Sequence, residues 1–315
     1  MIHLRVVAPP ELAAQAADRL VRSDAVSSVV HLRGAATKPV GDLILCDVAR
    51  EQASVLVSEL TDLGVGREGS ITVEEAPTVI SDAAERAEVA APDMAFGDEV
   101  VWEDVEARTS EETELSINFV EFMLVAGMLA AIGILLDSPI LIVGAMVVGP
   151  EFGPLAALCV ALVQRRADLA RRSFTALAAG FAAVLPVVYL ATLALRALGI
   201  APDRLPEHPL TLFISHPDPY SVLVAYLAGT AGILSLTSAK SGALVGVLIS
   251  VTTIPAAANI AVAGSYGRWD EARGAVLQLV INLVAIVAGG LARLYIQHRV
   301  YERRKRLAAA SAARA

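Results

Sequence analysis

The sequence predicts an α-helical polytopic membrane protein, with six spans as a 3+3 inverted repeat and an N-terminal α+β ferredoxin-like domain in the cytoplasm. The 315 residues are 56% hydrophobic and 18% charged, with a mean hydropathy of +0.61, which is too apolar for a soluble domain of this size. Residues 1–116 hold 9 Lys or Arg against 23 Asp or Glu, and the remainder holds 16 against 10. The third observation is a polar hexapeptide pattern that occurs twice in the apolar part.

The N-terminal domain is predicted at residues 1–76, where short β-rich runs alternate with helical ones. The predicted strands are residues 2–7, 26–32, 43–48 and 71–74, and the predicted helices are residues 10–22 and 49–63. This βαββαβ order is ferredoxin-like and resembles the regulatory ligand-binding domains called ACT-like. Because a fold does not determine a function, a dimerising or stabilising module and a ligand sensor both stay open.

Residues 77–116 are predicted to be an acidic linker with a juxtamembrane helix after Phe96. The first 20 residues lack an apolar secretory core, which predicts a cytoplasmic N-terminus. The soluble part has the wrong charge for a nucleic-acid backbone. No phosphate loop, nucleophile elbow or His/Cys cluster is visible, so we expect no enzymatic activity, no cofactor and no metal site.

Six apolar stretches are predicted to span the membrane within residues 117–298. They are residues 117–136, 139–163, 174–195, 220–239, 242–263 and 275–292. With the N-terminus inside, most of the positive charge lies in residues 164–172, at Lys240 and in the basic tail 299–315. By the positive-inside rule, both termini are cytoplasmic, and we expect the protein in the bacterial plasma membrane.

The internal repeat has an offset of 102 residues. Its pattern consists of Arg166, Asp168, Ala170 and Arg171, which recur as Arg268, Asp270, Ala272 and Arg273. Without a gap, the same offset aligns Val143-Gly144 with Val245-Gly246. Each copy contains three spans, and because three is odd, the second copy must be inverted. Many secondary transporters use such 3+3 inverted repeats.

Both copies contain a predicted helix break at the middle of their second span. Glu151 lies among two Gly-Pro steps, and at offset 102 its equivalent is Thr253, two residues before Pro255. A carboxylate at the bilayer centre costs at least ~2.5 kcal/mol, so it must be paired, protonated or hydrated. We expect Glu151 to take up a proton or cation beside neutral oxygen ligands. The predicted substrate or ion site comprises Gly149, Pro150, Glu151, Gly153, Thr252, Thr253 and Pro255.

Purely structural roles stay open for these residues. Glu151 could cap a half-helix or pair with an arginine, and Thr252 and Thr253 could bond to carbonyls that Pro255 exposes. Secondary candidates for the site are Asn259, Asn282 and Glu121. Amide side chains such as these and that of Gln278 also join helices by hydrogen bonds, and Glu121 is near enough to a span end to reach the interface.

A family resemblance lies in residues 137–146, which run into Gly149-Pro150 and Gly153-Pro154, and in residues 242–247, 254–257 and 282–286. These stretches resemble the bacterial membrane-protein family called domain of unknown function 389, over about residues 117–295. The chain departs from the family pattern at Glu151, where an apolar residue is common, and at Asp137, where asparagine is common. The resemblance therefore implies that Glu151 marks at most an ion dependence of a subfamily.

The sequence predicts a secondary transporter of a small solute or ion, coupled to protons or cations through Glu151 and regulated by the cytoplasmic domain. An ion channel is the first alternative, because broken spans also line pores. A membrane-anchored metabolite sensor or scaffold is the second. The expected partners are the lipid bilayer, the small solute or ion, and further copies of the chain in a homo-oligomer, with no nucleic acid.

Overall fold

A computed structural model describes residues 1–75, 79, 81–90, 115–205, 207, 209–237 and 252–312. The chain divides into two compact units, Met1–Val105 with Val300–Ala315, and Glu106–Arg299. The predicted juxtamembrane helix after Phe96 lies outside the described residues, as do residues 238–251, which form most of the first half of the predicted fifth span.

The N-terminal unit contains an antiparallel sheet of four strands in the order β2-β3-β1-β4. The strands are β1 (Ile2–Ala8), β2 (Val26–Thr37), β3 (Val40–Val48) and β4 (Ser70–Glu75). The helices are α1 (Pro10–Val21), α2 (Arg50–Asp62) and the single-turn α3 (Val65–Glu68). Apart from α3, the elements follow the predicted βαββαβ order.

One apolar core joins the sheet to both long helices of this unit. Alternate residues of β1 are buried, among them Leu4 and Val6, and they pack in one cluster with Leu20 of α1 and Leu60 of α2. The predicted linker contains a helix that the sequence analysis missed, α4 (Asp82–Ala90). The side chains of α4 that are described as buried are Ala84 and Ala87, three residues apart. Two alanines give only a weak hydrophobic period in the sequence, so this helix was missed.

The second unit is helical. Its helices are α5 (Ile117–Leu135), α6 (Pro139–Val148), α7 (Phe152–Gln164), α8 (Ala167–Ala197), α9 (Pro219–Thr237), α10 (Thr253–Ser265) and α11 (Trp269–Ala312). Among the described residues, four helices are long and apolar enough to cross a membrane, and the bent pair α6 and α7 makes up to five. These apolar helices are those of a membrane protein.

Several helices extend beyond the ends of the predicted spans. The third span was predicted at residues 174–195, whereas α8 runs from Ala167 to Ala197, and the sixth was predicted to begin at residue 275, whereas α11 begins at Trp269. The charged Arg-x-Asp-x-Ala-Arg segments therefore begin helices and are not loops. Hydropathy marks only the part of a helix that lies in hydrocarbon, so polar turns that continue the helix are missed.

Asp137 connects the turn between α5 and α6 to the segment before α9. It has a positive φ of 46°, a conformation that Asp and Asn tolerate better than most residues. Its carboxylate accepts hydrogen bonds from the Thr211 backbone N–H and hydroxyl, both at 3.0 Å. Asp137 thus has a structural role in this turn.

Candidate functional site

The helix break predicted in the second span lies between α6 and α7. The two helices are bent by 52° across residues 149–151. Gly149 is extended, with φ −66° and ψ 129°, and Pro150 has no N–H to donate to the preceding turn. Because of this proline, α6 ends at Val148 and a new helix begins after Glu151, which is the N-cap residue of α7.

Glu151 contacts the residue that the repeat pairs with it. The Thr253 hydroxyl donates a hydrogen bond of 2.6 Å to Oε1 of Glu151, and Thr253 is the first residue of α10. The exposed fractions are 2% for Glu151 and 0% for Thr253. The second carboxylate oxygen, Oε2, is buried and has no hydrogen-bond partner among the described residues. The break between α6 and α7 and the start of α10 therefore meet at one carboxylate that is half satisfied.

Gly149 makes room for this carboxylate. A Cβ atom at Gly149 would lie 2.4 Å from Oε2 of Glu151 and 2.5 Å from Cδ1 of Ile254 on α10. Contacts as short as these are essentially never seen for real Cβ atoms, so a side chain at this position would require the ends of the Glu151 and Ile254 side chains to shift. Gly149 thus contributes space and backbone to the site.

A chain of neutral hydrogen bonds continues from the neighbouring Thr252 to α11. The Asn282 side chain donates from Nδ2 to Oγ1 of Thr252 at 2.6 Å, and Gln278 donates from Nε2 to Oδ1 of Asn282 at 3.2 Å. Asn282 and Gln278 are each 2% exposed. These contacts connect the start of α10 to the middle of the last apolar helix.

Of the other predicted site residues, three lie at the break or in a first helical turn, and two lie farther away. Gly153 and Pro255 are buried in the first turns of α7 and α10, and Pro150 is half-buried in the break. Asn259 is buried farther along α10 and donates to Oε1 of Glu271 at 3.3 Å. Glu121 is exposed on α5. The structure therefore brings Asn282 to the start of α10, links Asn259 to Glu271, and leaves Glu121 on the helix surface.

Two polar residues near these contacts were not among the predicted site residues. Gln278 was interpreted only as a helix-joining amide, although its spacing of four residues from Asn282 puts both on one face of α11. Glu271 lies in the second copy of the repeated pattern, where the equivalent position, Leu169, is apolar. The presence of a carboxylate in the copy with Glu271, where the other copy has the apolar Leu169, is the sequence signal that could have identified Glu271.

The site can bind and release a proton and can orient a small ligand. It offers one carboxylate and two hydroxyls at the starts of α7 and α10, and two amides from the middle of α11. Among the residues that the structure describes, no three His, Cys, Asp or Glu side chains are grouped as a metal site requires.

Comparison with known proteins identifies the region that contains the site. Residues 146–288 match the sequence model of a family described as Domain of unknown function (DUF389), and this range contains Glu151, Thr253 and Asn282. An uncharacterized protein of Methanocaldococcus jannaschii is 29% identical over 178 residues, which are 56% of this chain and 53% of that protein. The match thus spans about half the length of this relative.

No solved structure matches the chain significantly. The family match contains residues 149–154, 242–247, 254–257 and 282–286 of the resemblance, and it begins at residue 146, where the first stretch of the resemblance ends. The resemblance to the DUF389 family is thus confirmed over residues 146–288.

Proposed function

We propose that this protein is a proton-coupled secondary transporter, built from two inverted halves of three spans each, with Glu151 as its proton carrier. The observation that carries the proposal is the hydrogen bond between Glu151 and Thr253. The two residues are 102 positions apart, which is the offset of the sequence repeat, and each lies at a helix break or helix start.

The helix bounds support the repeat, because they recur at the same offset. α5 (Ile117–Leu135) and α9 (Pro219–Thr237) are both 19 residues long and begin 102 positions apart. α8 (Ala167–Ala197) and α11 (Trp269–Ala312) also begin 102 positions apart, although α8 has 31 residues and α11 has 44. α7 and α10 both have 13 residues and begin 101 positions apart.

Local geometry also recurs at equivalent positions. Arg165 and Gly267, which are 102 apart, both have positive φ angles, of 58° and 70°. Each half has a helix crossing at a glycine: a Cβ at Gly127 would contact Val184, and a Cβ at Gly229 would contact Ile286. Both the glycines and their partners are 102 residues apart. Two segments of unrelated fold would not share turns and crossings in this way.

The same geometry supports inversion and a central position for Glu151. A bend of 52° lets α6 and α7 continue in one general direction, and their 10 and 13 residues rise ~15 and ~20 Å along their axes. The first half then makes three crossings, which are α5, α6 with α7, and α8, so α9 begins on the opposite side from α5 and the second half is inverted. When two equivalent residues touch, they lie at the axis that relates the halves. In an inverted repeat this axis runs in the membrane plane, near its centre.

A carboxylate at this position suits a proton carrier. Burial disfavours its charged form, and a single hydroxyl stabilises only one of its two oxygens. Around it, rocking of one half against the other would change the side from which protons reach it. We further propose the bacterial plasma membrane, cytoplasmic termini and a homo-oligomer, as the sequence predicts, with the N-terminal sheet domain in a regulatory role.

Proton flux into liposomes that contain a pH-sensitive dye tests the proposal. The full chain is reconstituted, and solutes are added outside one at a time. We expect at least one solute to cause a saturable change of internal pH that E151Q abolishes. Glu121→Gln is the matched control, because it removes an exposed carboxylate from α5, and it should keep the flux.

Two results would contradict the proposal. One is a flux that E151Q leaves unchanged. The other is unitary currents in planar bilayers that persist in E151Q, which would indicate a channel.

A further inference from the structure

We infer that the ligand of this site is a small monovalent anion, which binds at the facing N-termini of α7 and α10 when Glu151 is protonated. The inference rests on the proposed function and names its substrate class. When Glu151 is not protonated, its own carboxylate occupies the anion site in place of the ligand.

The first support is that two helix N-termini meet at Glu151. Glu151 is the N-cap residue of α7, and Thr253 is the first residue of α10, and their side chains are joined at 2.6 Å. The backbone N–H groups of a first helical turn have no acceptor within the helix, and together they favour anions. The starts of two helices of 13 residues each therefore face the same point.

The second support is that neither helix start is capped by its own side chain. Neither Glu151 nor Thr252 makes a side-chain capping bond to its helix. Both helices also have a proline three positions after the N-cap residue, Pro154 and Pro255, so the free N–H groups are those of the first two residues only. These donors are Phe152, Gly153, Thr253 and Ile254. Four donors without helical acceptors or caps are what an anion site requires.

The third support is the state of the Glu151 carboxylate itself. Its Oε2 atom is buried and has no hydrogen-bond partner among the described residues. A permanent structural cap would direct both oxygens to donors. A carboxylate with only one oxygen bound is poised to leave the helix starts when it gains a proton, and a free anion can then take its place.

The charge balance favours a monovalent anion. Each helix N-terminus is equivalent to roughly +0.5 elementary charge, so the two together balance about one negative charge. That charge is either the ionised Glu151 or one bound anion, and binding of the anion is thereby coupled to uptake of about one proton. The neutral donors Thr252 and Asn282 lie beside the site and add no charge.

No other charged group in the described part of the site competes for this role. The helices packed around Glu151 carry their charged and histidine residues away from the break: Glu121 on α5, Asp168, Arg171, Arg172 and Arg196 on α8, and Asp270, Glu271, Arg273, Arg293, His298 and Arg299 on α11, whose sequence has further charges at residues 302–306. α6, α7 and α10 contain no Asp, Glu, Lys, Arg or His, and the titratable Cys159 of α7 is seven residues beyond its start. Lys240 lies outside the described residues.

Anion binding to the purified full chain in detergent tests this inference. Sodium nitrate replaces sodium gluconate at constant ionic strength, and the midpoint of thermal unfolding is followed from pH 5 to pH 8. Above the titration of the carboxyl, we expect the nitrate affinity of the wild type to fall by up to about tenfold per pH unit. E151Q mimics the protonated state, so it should bind nitrate with an affinity that does not depend on pH. E121Q should behave as the wild type.

A cation site would give the opposite signs. Sodium, compared with choline at constant anion, would then stabilise the wild type more as the pH rises, and E151Q would lose the effect. That result overturns the inference, as does the absence of any nitrate effect on the wild type between pH 5 and pH 8. The wild-type pH dependence decides the question even where E151Q fails to fold.

The infrared absorption of a protonated carboxyl, recorded on the same samples, separates this inference from the proposed function. A carboxyl band that titrates in the wild type and is missing in E151Q, without nitrate binding, refutes the anion and keeps the proton carrier. If the wild type and E151Q show the same carboxyl absorption at every pH, both the anion site and the proton carrier are refuted.

Discussion

The two proposed halves of the membrane unit have helices that begin at equivalent positions and differ in chemistry. The first half contributes a single carboxylate, Glu151, at its break, and the second contributes hydroxyls and amides around Thr253. The buried amides of the second half are Asn259, Gln278 and Asn282, and their equivalents at offset 102 in the first half are Ala157, Ala176 and Gly180. Amide side chains in the second half thus stand where the first half has small apolar residues.

This difference suggests a division of roles. A carboxyl group exchanges its proton most readily where no neighbouring side chain competes for that proton. The small apolar residues of the first half provide such surroundings for Glu151. Oriented donors work best when they are fixed by neighbours, as Asn282 is by Gln278 and Thr252. Four sets of variants would break or sharpen this comparison.

The largest effect is expected when both halves carry a carboxylate. Thr253→Glu puts a second carboxylate where a hydroxyl now lies 2.6 Å from Glu151. We expect a loss of about 3–5 kcal/mol in the free energy of unfolding at neutral pH, because a buried charge is left uncompensated. Thermal unfolding of the full chain measures this. The exchange E151T/T253E restores one carboxylate and one hydroxyl and should recover most of the loss; a double variant as unstable as Thr253→Glu would refute the equivalence.

The glycine crossings should differ in tolerance between the halves. A Cβ at Gly229 would lie 2.0 Å from the backbone oxygen of Ile286, whereas a Cβ at Gly127 would lie 2.7 Å from a methyl group of Val184. Backbone cannot move aside as a side chain can, so Gly229→Ala should cost about 3 kcal/mol and Gly127→Ala about 1 kcal/mol. Unfolding midpoints of both variants check the order. A larger loss in Gly127→Ala would show that the second crossing is the looser one.

A methyl group at the first break should disturb the carboxylate specifically. Gly149→Ala puts a Cβ against Glu151 and Ile254, and we expect a cost of about 1–3 kcal/mol and altered proton binding. Gly144→Ala, five residues earlier in α6, meets nothing within 4 Å and should be neutral or stabilise by up to about 1 kcal/mol. Unfolding midpoints and the infrared carboxyl band measure both effects. Equal results for the two variants would contradict the close packing at the break.

The smallest effect is a pH dependence that arises in the N-terminal sheet and must be separated from that of Glu151. The Gly34 N–H and then the His31 side chain, both 2.8 Å from the carboxylate, lower the pKa of Asp42. A lowered pKa stabilises the fold above the unfolded pKa of about 3.9, and this contribution is lost as the pH falls through the folded pKa. Hydrogen exchange in β3 should therefore be faster in Asp42→Asn at pH 7, with a difference that persists down to about pH 4 and shrinks as the pH falls further. A constant difference would exclude this cause.

The sequence predicted much of the fold because its signals are local or periodic. The strand alternation around Leu4 and Val6, the break at Pro150 and the offset of 102 residues could all be read without coordinates. Helix ends such as Ala167 and Trp269 could not, because hydropathy ends where the hydrocarbon does. α4 was missed because its buried face consists of alanines, which are common on any surface.

The site could be predicted in part. Proline and glycine identified the break, and the repeat identified Thr253 as the counterpart of Glu151, but no pattern stated that the two touch. The links from Asn282 to Thr252 and from Asn259 to Glu271 depend on how helices are rotated against each other, which a single sequence does not encode in a readable form.

The central claim is that the second half is the first half turned upside down around Glu151 and Thr253. Asp168 and Asp270 test it, because they are equivalent and both exposed at helix starts. Single cysteines replace them in a background in which Cys46 and Cys159 are alanine, and intact cells are treated with a maleimide that does not cross the membrane. The account predicts labelling of Asp270→Cys from outside and of Asp168→Cys only after permeabilisation. Labelling of both from the same side would contradict it.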